Sequence, residues 1–216
     1  ILSIDRQGDS HRLLPGNVNG DLAGEQDRLI HINADLLDLI ILAVVIVPFG
    51  MPYLVLMPVF ARDVLGVGPS GLGVLMGASG AGAIVVTLSL ATLPDSRRRG
   101  RMVLGGTMLF GLALILFSTS RQFVTAVILL VVVGSTAAVF QTMNSVLLQT
   151  VTPDEMRGRV AGFYVLVWGL TPLGSLWMGA AADYLGAPIV LRIGGAICAL
   201  FSVAWAIARP SLRQLD

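Results

Sequence analysis

Six apolar runs dominate the sequence between Asp38 and Arg209. Each is long enough to cross the hydrocarbon core of a bilayer, which takes about 20 helical residues. A surface helix of a soluble protein would carry charged residues along one side, and these runs carry almost none. The sequence therefore predicts an all-α membrane protein with six transmembrane helices, at approximately 38–61, 70–94, 102–119, 123–150, 160–182 and 188–208.

The composition agrees with a membrane protein and argues against several other classes. Hydrophobic residues make up 55% of the chain and charged residues 12%, and the net charge of +1 offers no basic surface for nucleic acid. Both histidines, His11 and His31, precede the first run, and the single cysteine, Cys198, lies inside the last. These residues suggest no metal site, no disulfide and no nucleophile–base pair. We therefore expect no enzymatic activity and no cofactor.

Two polar segments flank the predicted bundle, 38–208. Residues 1–37 are rich in Asp and Arg and read as a cytosolic linker or tail, with a short interfacial helix near 28–37 as the alternative. Residues 209–216 read as a cytosolic C-terminal tail. Because the chain begins at Ile1 without methionine, we expect it to be part of a longer protein.

The arginines predict how the bundle is oriented. Eight lie in the connections after the second and fourth runs and in the C-terminal tail, against three at the opposite ends of the runs. Arginine collects on the cytosolic side, so both termini should be cytosolic, in the plasma membrane of a bacterium. The charged residues of the two connections are Asp95, Arg97, Arg98, Arg99 and Arg101, and Asp154, Arg157 and Arg159.

The second of these connections also carries a helix start signal. Thr152-Pro-Asp-Glu155 has the spacing of a capping box, in which the threonine hydroxyl caps the helix and the glutamate bonds back. It predicts a helix that begins in the loop and turns at Gly158 into the fifth crossing.

Both connections resemble loops of the major facilitator superfamily of transporters. Ala91-Thr-Leu-Pro-Asp95-Ser-Arg97-Arg98-Arg99-Gly100-Arg101 resembles its Gly-x-x-x-Asp-Arg-x-x-(Gly)-Arg-Arg motif, with Ala91 and Ser96 as departures. Three further segments are similar to segments of its siderophore and drug exporters: Thr152-Pro-Asp-Glu-Met-Arg157-Gly158-Arg159-Val160, Phe49-Gly50-Met51-Pro52 and Gly169-Leu-Thr171-Pro172. The likeness covers 38–208, the C-terminal six-helix half.

This resemblance implies a fold and a mechanism. The half would consist of two three-helix inverted repeats and would rock against a missing N-terminal six-helix half, or a second copy, around a midplane cavity. Its first, second, fourth and fifth helices would line the cavity. Asp95 and the neighbouring arginines, together with Asp154, Arg157 and Arg159 of the other connection, would form a cytosolic gate, although anchoring by positive charge alone also explains the arginines.

Polar exceptions inside the runs are the candidates for substrate contacts. Gln141 and Asn144 share a helical face of the fourth run, and uncharged amides in hydrocarbon need partners. They either bond between helices or face the cavity. By resemblance, Trp168 and Thr171 of the fifth run also face it.

The first run is interrupted by Pro48, Pro52 and Pro58, which must kink or partly unwind it. Met51 and Tyr53 beside the kink would be flexible or amphipathic wall residues suited to a broad substrate, or would fill gaps in a packed helix. The second run carries a small-residue surface that predicts close contact between helices: Gly73, Gly77, Gly80 and Gly82.

The predicted function is therefore transport of a small molecule across the membrane by alternating access. The resemblance favours a permease for secondary-active efflux of a siderophore, drug or similar amphipathic compound, in contact with membrane lipid. The proton carrier would lie in the missing half, or at the rim in Asp183 with Arg192. The alternative is a truncated or non-transporting six-helix module or partner subunit. Such a module should pack Gln141, Asn144 and Thr171 against each other.

Overall fold

The structure is a computed structural model that describes residues 36–92 and 99–209. Six of its helical segments are long and apolar enough to span a membrane, which confirms the six predicted runs. They are Leu36–Val64, Pro69–Thr92, Arg99–Thr119, Phe123–Val151, Arg157–Leu185 and Ala187–Ala208. The described residues contain no strand, so the protein is an all-α integral membrane protein. Leu36 and Leu37 belong to the first helix rather than to the predicted linker.

Two of the six spans are broken, and four are continuous. The first span consists of α1 (36–50), a turn at Met51 and Pro52, α2 (Tyr53–Val59) and one π-helical turn, Phe60–Val64. The fifth consists of α6 (Arg157–Trp168) and α7 (Thr171–Leu185). The continuous helices are α3 (Pro69–Thr92), α4 (Arg99–Thr119), α5 (Phe123–Val151) and α8 (Ala187–Ala208).

Glycines set the closest approaches between these helices. A methyl group at Gly134 of α5 would overlap the backbone of Ser79 in α3, and one at Gly111 of α4 would overlap the backbone of α8. A methyl group at Gly174 of α7 would likewise overlap the backbone of Pro48 in α1. Small residues at such crossings are how helices in lipid gain van der Waals contact, because no hydrophobic effect drives them together.

The contacts follow the order expected for two three-helix repeats. The second helix of the first repeat, α3, packs on the first helix of the second repeat, α5. The reciprocal pair is α7 on α1, and the third helices, α4 and α8, pack on each other. If the two repeats are exchanged, the α3–α5 pair becomes the α7–α1 pair, and the α4–α8 pair maps onto itself. The bundle therefore has the predicted fold class and fits one half of a twelve-helix transporter.

Burial is uneven among the spans. In their most apolar windows the first and third spans are 56% buried, whereas α3 and the fifth span are only 17% buried. The two poorly buried spans carry large apolar side chains on the outside, such as Val85, Leu88, Phe163 and Leu176. These surfaces are available to lipid or to a partner bundle.

The connection between α5 and α6 begins differently from the prediction. A turn of 3₁₀-helix, Asp154–Met156, leads into α6, so a helix does begin in the loop. However, the Thr152 hydroxyl donates to the Leu148 carbonyl of the preceding helix, and no side chain that the structure describes caps the turn; the predicted Glu155 side chain lies outside that description. The prediction that the Thr152 hydroxyl caps the new helix is therefore wrong, because this hydroxyl bonds back to its own preceding helix instead.

Candidate functional site

The break in the first span leaves the Pro48 carbonyl without its helical hydrogen-bond donor, and a side chain from a distant part of the sequence supplies one. In a continuous α-helix the N–H of residue 52 would bond to the carbonyl of residue 48, but Pro52 has no N–H. The indole Nε1 of Trp177 in α7 donates to the Pro48 carbonyl at 3.4 Å instead. The Trp177 ring also lies 5.2 Å from that of Phe49, centroid to centroid. Trp177 therefore ties the fifth span to the break.

A cleft of about 360 Å³ lies beside this break, between α2, α3 and α5. The Tyr53 hydroxyl shares a buried hydrogen bond of 2.8 Å with Ser79 Oγ of α3. Gln141 of α5 is half-buried, and its Nε2 donates to the sulfur of Met51 at 3.6 Å. The lining residues are Tyr53, Leu54, Met76, Ser79, Gly80, Ala83, Thr87, Gly134, Ala137, Ala138, Gln141 and Thr142.

The chemistry of this cleft is polar but uncharged. None of the lining residues that the structure describes carries a formal charge. The lining combines hydroxyl and amide groups with small and apolar side chains, and the rings of Tyr53 and Phe110 form a T-shaped pair with centroids 6.1 Å apart. Such a surface can hydrogen-bond an uncharged polar group and hold apolar surface at the same time.

The predicted cavity residues fall into three places. Tyr53 and Gln141 line the cleft, and Met51 is buried beside it in contact with Gln141. Asn144 is fully buried, and neither atom of its amide has a hydrogen-bond partner in the described structure. Its exposure to a substrate remains a prediction.

Trp168 and Thr171 lie at the break of the fifth span, outside this cleft. The Thr171 hydroxyl donates to the Trp168 carbonyl at 2.7 Å, which satisfies a group that the break leaves free. The Trp168 ring packs edge-on against Tyr164 at 6.4 Å. These two residues therefore stabilise a helix break, and their contact with a substrate remains a prediction.

Sequence reasoning missed three hydroxyl-bearing residues of the cleft: Ser79, Thr87 and Thr142. Ser79 sits within the small-residue surface of α3, which the sequence assigned to close packing. That assignment holds for Gly82, where a methyl group would overlap the backbone of α5, but it is wrong for Gly73, Gly77 and Gly80, where nothing lies within 4 Å of an added methyl group. The hydroxyl of Ser79 within this surface is the signal that part of it faces a polar cleft.

The predicted gate is only partly described. Asp95, Arg97 and Arg98 lie outside the described residues. Arg99, at the start of α4, donates from Nη1 to the Thr150 hydroxyl near the end of α5 at 3.4 Å. This bond joins the two Arg-bearing connections at one end of the bundle.

The rest of the gate lies on the surface of the α5–α6 connection. Asp154 and Arg157 form an ion pair of 2.9 Å, both largely exposed, and Arg101 and Arg159 are exposed too. A second cleft of about 360 Å³ separates α6 from the end of α5. It is lined by Ser145, Leu148, Gln149, Thr152, Arg157, Val160, Ala161, Tyr164 and Val165.

Two charged residues differ from their predicted surroundings. Asp38 lies at the start of the first predicted run, but its side chain is 2% exposed and its Oδ1 lies 3.5 Å from Nε of Arg209, at the end of α8. The predicted rim pair of Asp183 and Arg192 does not form between the described residues, because Arg192 Nε donates to Ser118 Oγ at 3.1 Å.

Comparison with known protein families identifies the family of the chain. Residues 6–216 match the family model described as transmembrane secretion effector. No curated protein matches the sequence. The match covers nearly the whole chain and agrees with the six-span bundle, its repeat contacts and the two Arg-bearing connections. The chain therefore belongs to the transmembrane secretion effector family of the major facilitator superfamily, a family of membrane transporters.

Proposed function

We propose that this bundle is half of an exporter that carries an amphipathic small molecule, such as a siderophore or drug, by alternating access. The observation that carries the proposal is the uncharged cleft beside the broken first span. The family description, secretion, supports export rather than import. Energy would come from a coupling ion, whose carrier would lie in the other half.

The cleft favours a substrate without an exposed formal charge. A charge taken from water into a site without a countercharge is costly, and the described lining residues provide none. Tyr53, Ser79 and Gln141 can exchange their present hydrogen bonds for bonds to a substrate. The thioether of Met51 is flexible and polarisable, which suits contact with substrates of differing shape.

A second six-helix unit is the partner that this bundle requires. The two least buried spans, α3 and the fifth, leave apolar surface for lipid and for an N-terminal half or a second copy. An inert module would pack its polar residues together. Instead, Gln141 donates to Met51 and Thr171 to Trp168 of its own span, and Asn144 has no partner among the described residues. These contacts support the transporter.

Substitution of the cleft residues tests the proposal. We expect Gln141→Leu and Ser79→Ala in the complete transporter to lower efflux from everted vesicles by roughly fivefold to tenfold, as expected for loss of one or two hydrogen bonds. A panel of uncharged fluorescent amphipathic dyes and uncharged siderophores would serve as substrates. Ser89→Ala is the matched control, because Ser89 lies on the same helix, is exposed, and donates to its own Val85 carbonyl. Equal efflux in all variants, at equal expression, would contradict the proposed site.

Orientation needs a separate measurement. We propose that the end bearing Arg99 and Arg157 is cytosolic, as the arginine distribution favours. With Cys198 replaced by alanine, cysteines introduced at Arg62 and Asp154 should react with a membrane-impermeant maleimide from opposite sides of the membrane. Labelling of the Asp154 position from outside intact cells would reverse the assignment.

The gate would act by favouring one of the two states of the transporter. Asp95 and its arginines would contact the partner half in one state only, which biases the two states by about 1–3 kcal/mol. Asp95→Asn should then change which side of the transporter is accessible to cysteine labelling without abolishing substrate binding. Unchanged accessibility and unchanged transport would leave the arginines as anchors only.

A further inference from the structure

A shallow cleft of about 420 Å³ lies at the connection between α4 and α5, at the opposite end of α5 from the Arg157 loop. It is separate from the cleft assigned to the substrate. Its lining residues are Leu116, Thr119, Ser120, Arg121, Gln122, Thr125 and Leu129. Four of them carry uncharged polar side chains, one is basic, and none is acidic. The cleft is therefore rich in hydrogen-bond donors.

Ser120 is the residue that points to a ligand. It is 6% exposed, it lines the cleft, and its hydroxyl has no hydrogen-bond partner in the described structure. The hydroxyls of the two preceding residues are both bonded, because Ser118 donates to the Ile115 carbonyl at 2.6 Å and Thr119 to the Leu116 carbonyl at 2.7 Å. A buried hydroxyl without a partner is unfavourable, so this hydroxyl is available to a ligand that accepts its proton.

Two sources of positive potential meet the same cleft. The 29-residue helix α5 begins at Phe123, after Gln122 in an extended conformation, and no side chain caps its first N–H groups. Such free amides and the helix dipole favour an anion. Arg121 is exposed and forms no ion pair with any residue that the structure describes.

We propose that the α4–α5 connection binds the phosphate group of an anionic phospholipid. Arg121, the Ser120 hydroxyl and the first amides of α5 would bond the phosphate oxygens. Leu116, which is 56% exposed, and Leu129 would lie along the acyl chain. The position suits a headgroup, because the connection joins the ends of two helices that are long and apolar enough to span a membrane. The assignment is independent of the transported substrate.

Native mass spectrometry of the full-length protein in a neutral detergent would count bound phosphatidylglycerol, with phosphatidylcholine and inorganic phosphate as separate probes. We expect selective retention of phosphatidylglycerol, weakened about tenfold by Arg121→Gln and about threefold by Ser120→Ala, while Arg121→Lys keeps most of the binding. Arg62→Gln is the matched control, because Arg62 is exposed at the same end of the bundle and is paired with Asp63 at 3.1 Å.

The outcomes separate the possible sources of phosphate. If inorganic phosphate displaces phosphatidylglycerol at similar concentration, the site recognises phosphate itself, free or in a headgroup. If phosphatidylglycerol binds and free phosphate does not compete, the acyl chain is part of recognition. Equal binding of phosphatidylglycerol and phosphatidylcholine, or equal binding by Arg121→Gln, Arg121→Lys and Arg62→Gln, would overturn the proposal.

Discussion

Replacing Trp177 with phenylalanine should weaken the contact between the broken first span and α7. The Trp177 indole satisfies the Pro48 carbonyl that Pro52 leaves free, through a bond of 3.4 Å. Hydrogen bonds between membrane helices contribute about 0.6 kcal/mol on average, and a buried carbonyl without a donor costs about 1–3 kcal/mol. We therefore expect Trp177→Phe to lower the free energy of unfolding by roughly 1 kcal/mol, because the phenyl ring keeps the contact with Phe49 but cannot donate.

A double-mutant cycle isolates the hydrogen bond from packing. Pro52→Ala supplies an N–H that can bond to the Pro48 carbonyl, so Trp177→Phe should cost much less in that background. Thermal unfolding in detergent, followed by light scattering, would report the difference. A loss of 1 kcal/mol corresponds to about 2–4 °C in Tm for a chain of this size.

Trp205 provides the matched control for the ring change. Its Nε1 is buried without a hydrogen-bond partner among the described residues, and its ring stacks on Phe201 at 5.2 Å. Trp205→Phe therefore removes an unsatisfied donor and should cost less than Trp177→Phe. If Trp177→Phe costs the same with and without Pro52, the tryptophan acts by packing alone and the reasoning fails.

Three further predictions follow from the packing. Arg209→Gln should destabilise the bundle by about 1–2 kcal/mol, because it leaves the Asp38 carboxylate buried without its partner, and adding Asp38→Asn should restore part of the loss in thermal unfolding. Gly134→Ala should cost about 1–3 kcal/mol by forcing α3 and α5 apart, whereas Gly80→Ala, which meets open space, should be nearly neutral in the same assay. Hydrogen exchange should be faster at residues 51–55 than in the α5 segment around position 134; equal protection would contradict a flexible break.

The sequence predicted the spans well because hydrophobicity and proline act locally. A run of about 20 apolar residues needs no knowledge of its neighbours to be read as a membrane helix. The break of the first span was predicted for the same reason, since Pro52 lacks an N–H wherever it lies in the bundle. The cause of each feature is contained in the segment itself.

The candidate site was harder to predict, because its boundary runs between residues of one helix. Gln141 and Asn144 are about 60° apart around α5, so the sequence placed them on one face. Gln141 lines the cleft, whereas the Asn144 side chain is fully buried in the interior of the bundle. The sequence also assigned no partner within the bundle to Trp177 or to Asp38. Their partners, Pro48 and Arg209, lie far away in sequence, where no local pattern could identify them.

The two reciprocal contacts between the repeats, α3 with α5 and α7 with α1, differ in how easily they can bend. In one, α3 meets α5 as two continuous helices, brought into backbone contact at Gly82 and Gly134. In the other, α7 meets α1 where both spans are broken, and Gly174 and Trp177 contact the carbonyl of Pro48. A continuous helix resists bending, whereas a broken one has already lost the hydrogen bonds that bending would cost. The same topology therefore yields a rigid pair and a deformable pair, and we expect changes of shape within this half on the side of α1 and α7 rather than at the α3–α5 pair that lines most of the uncharged cleft.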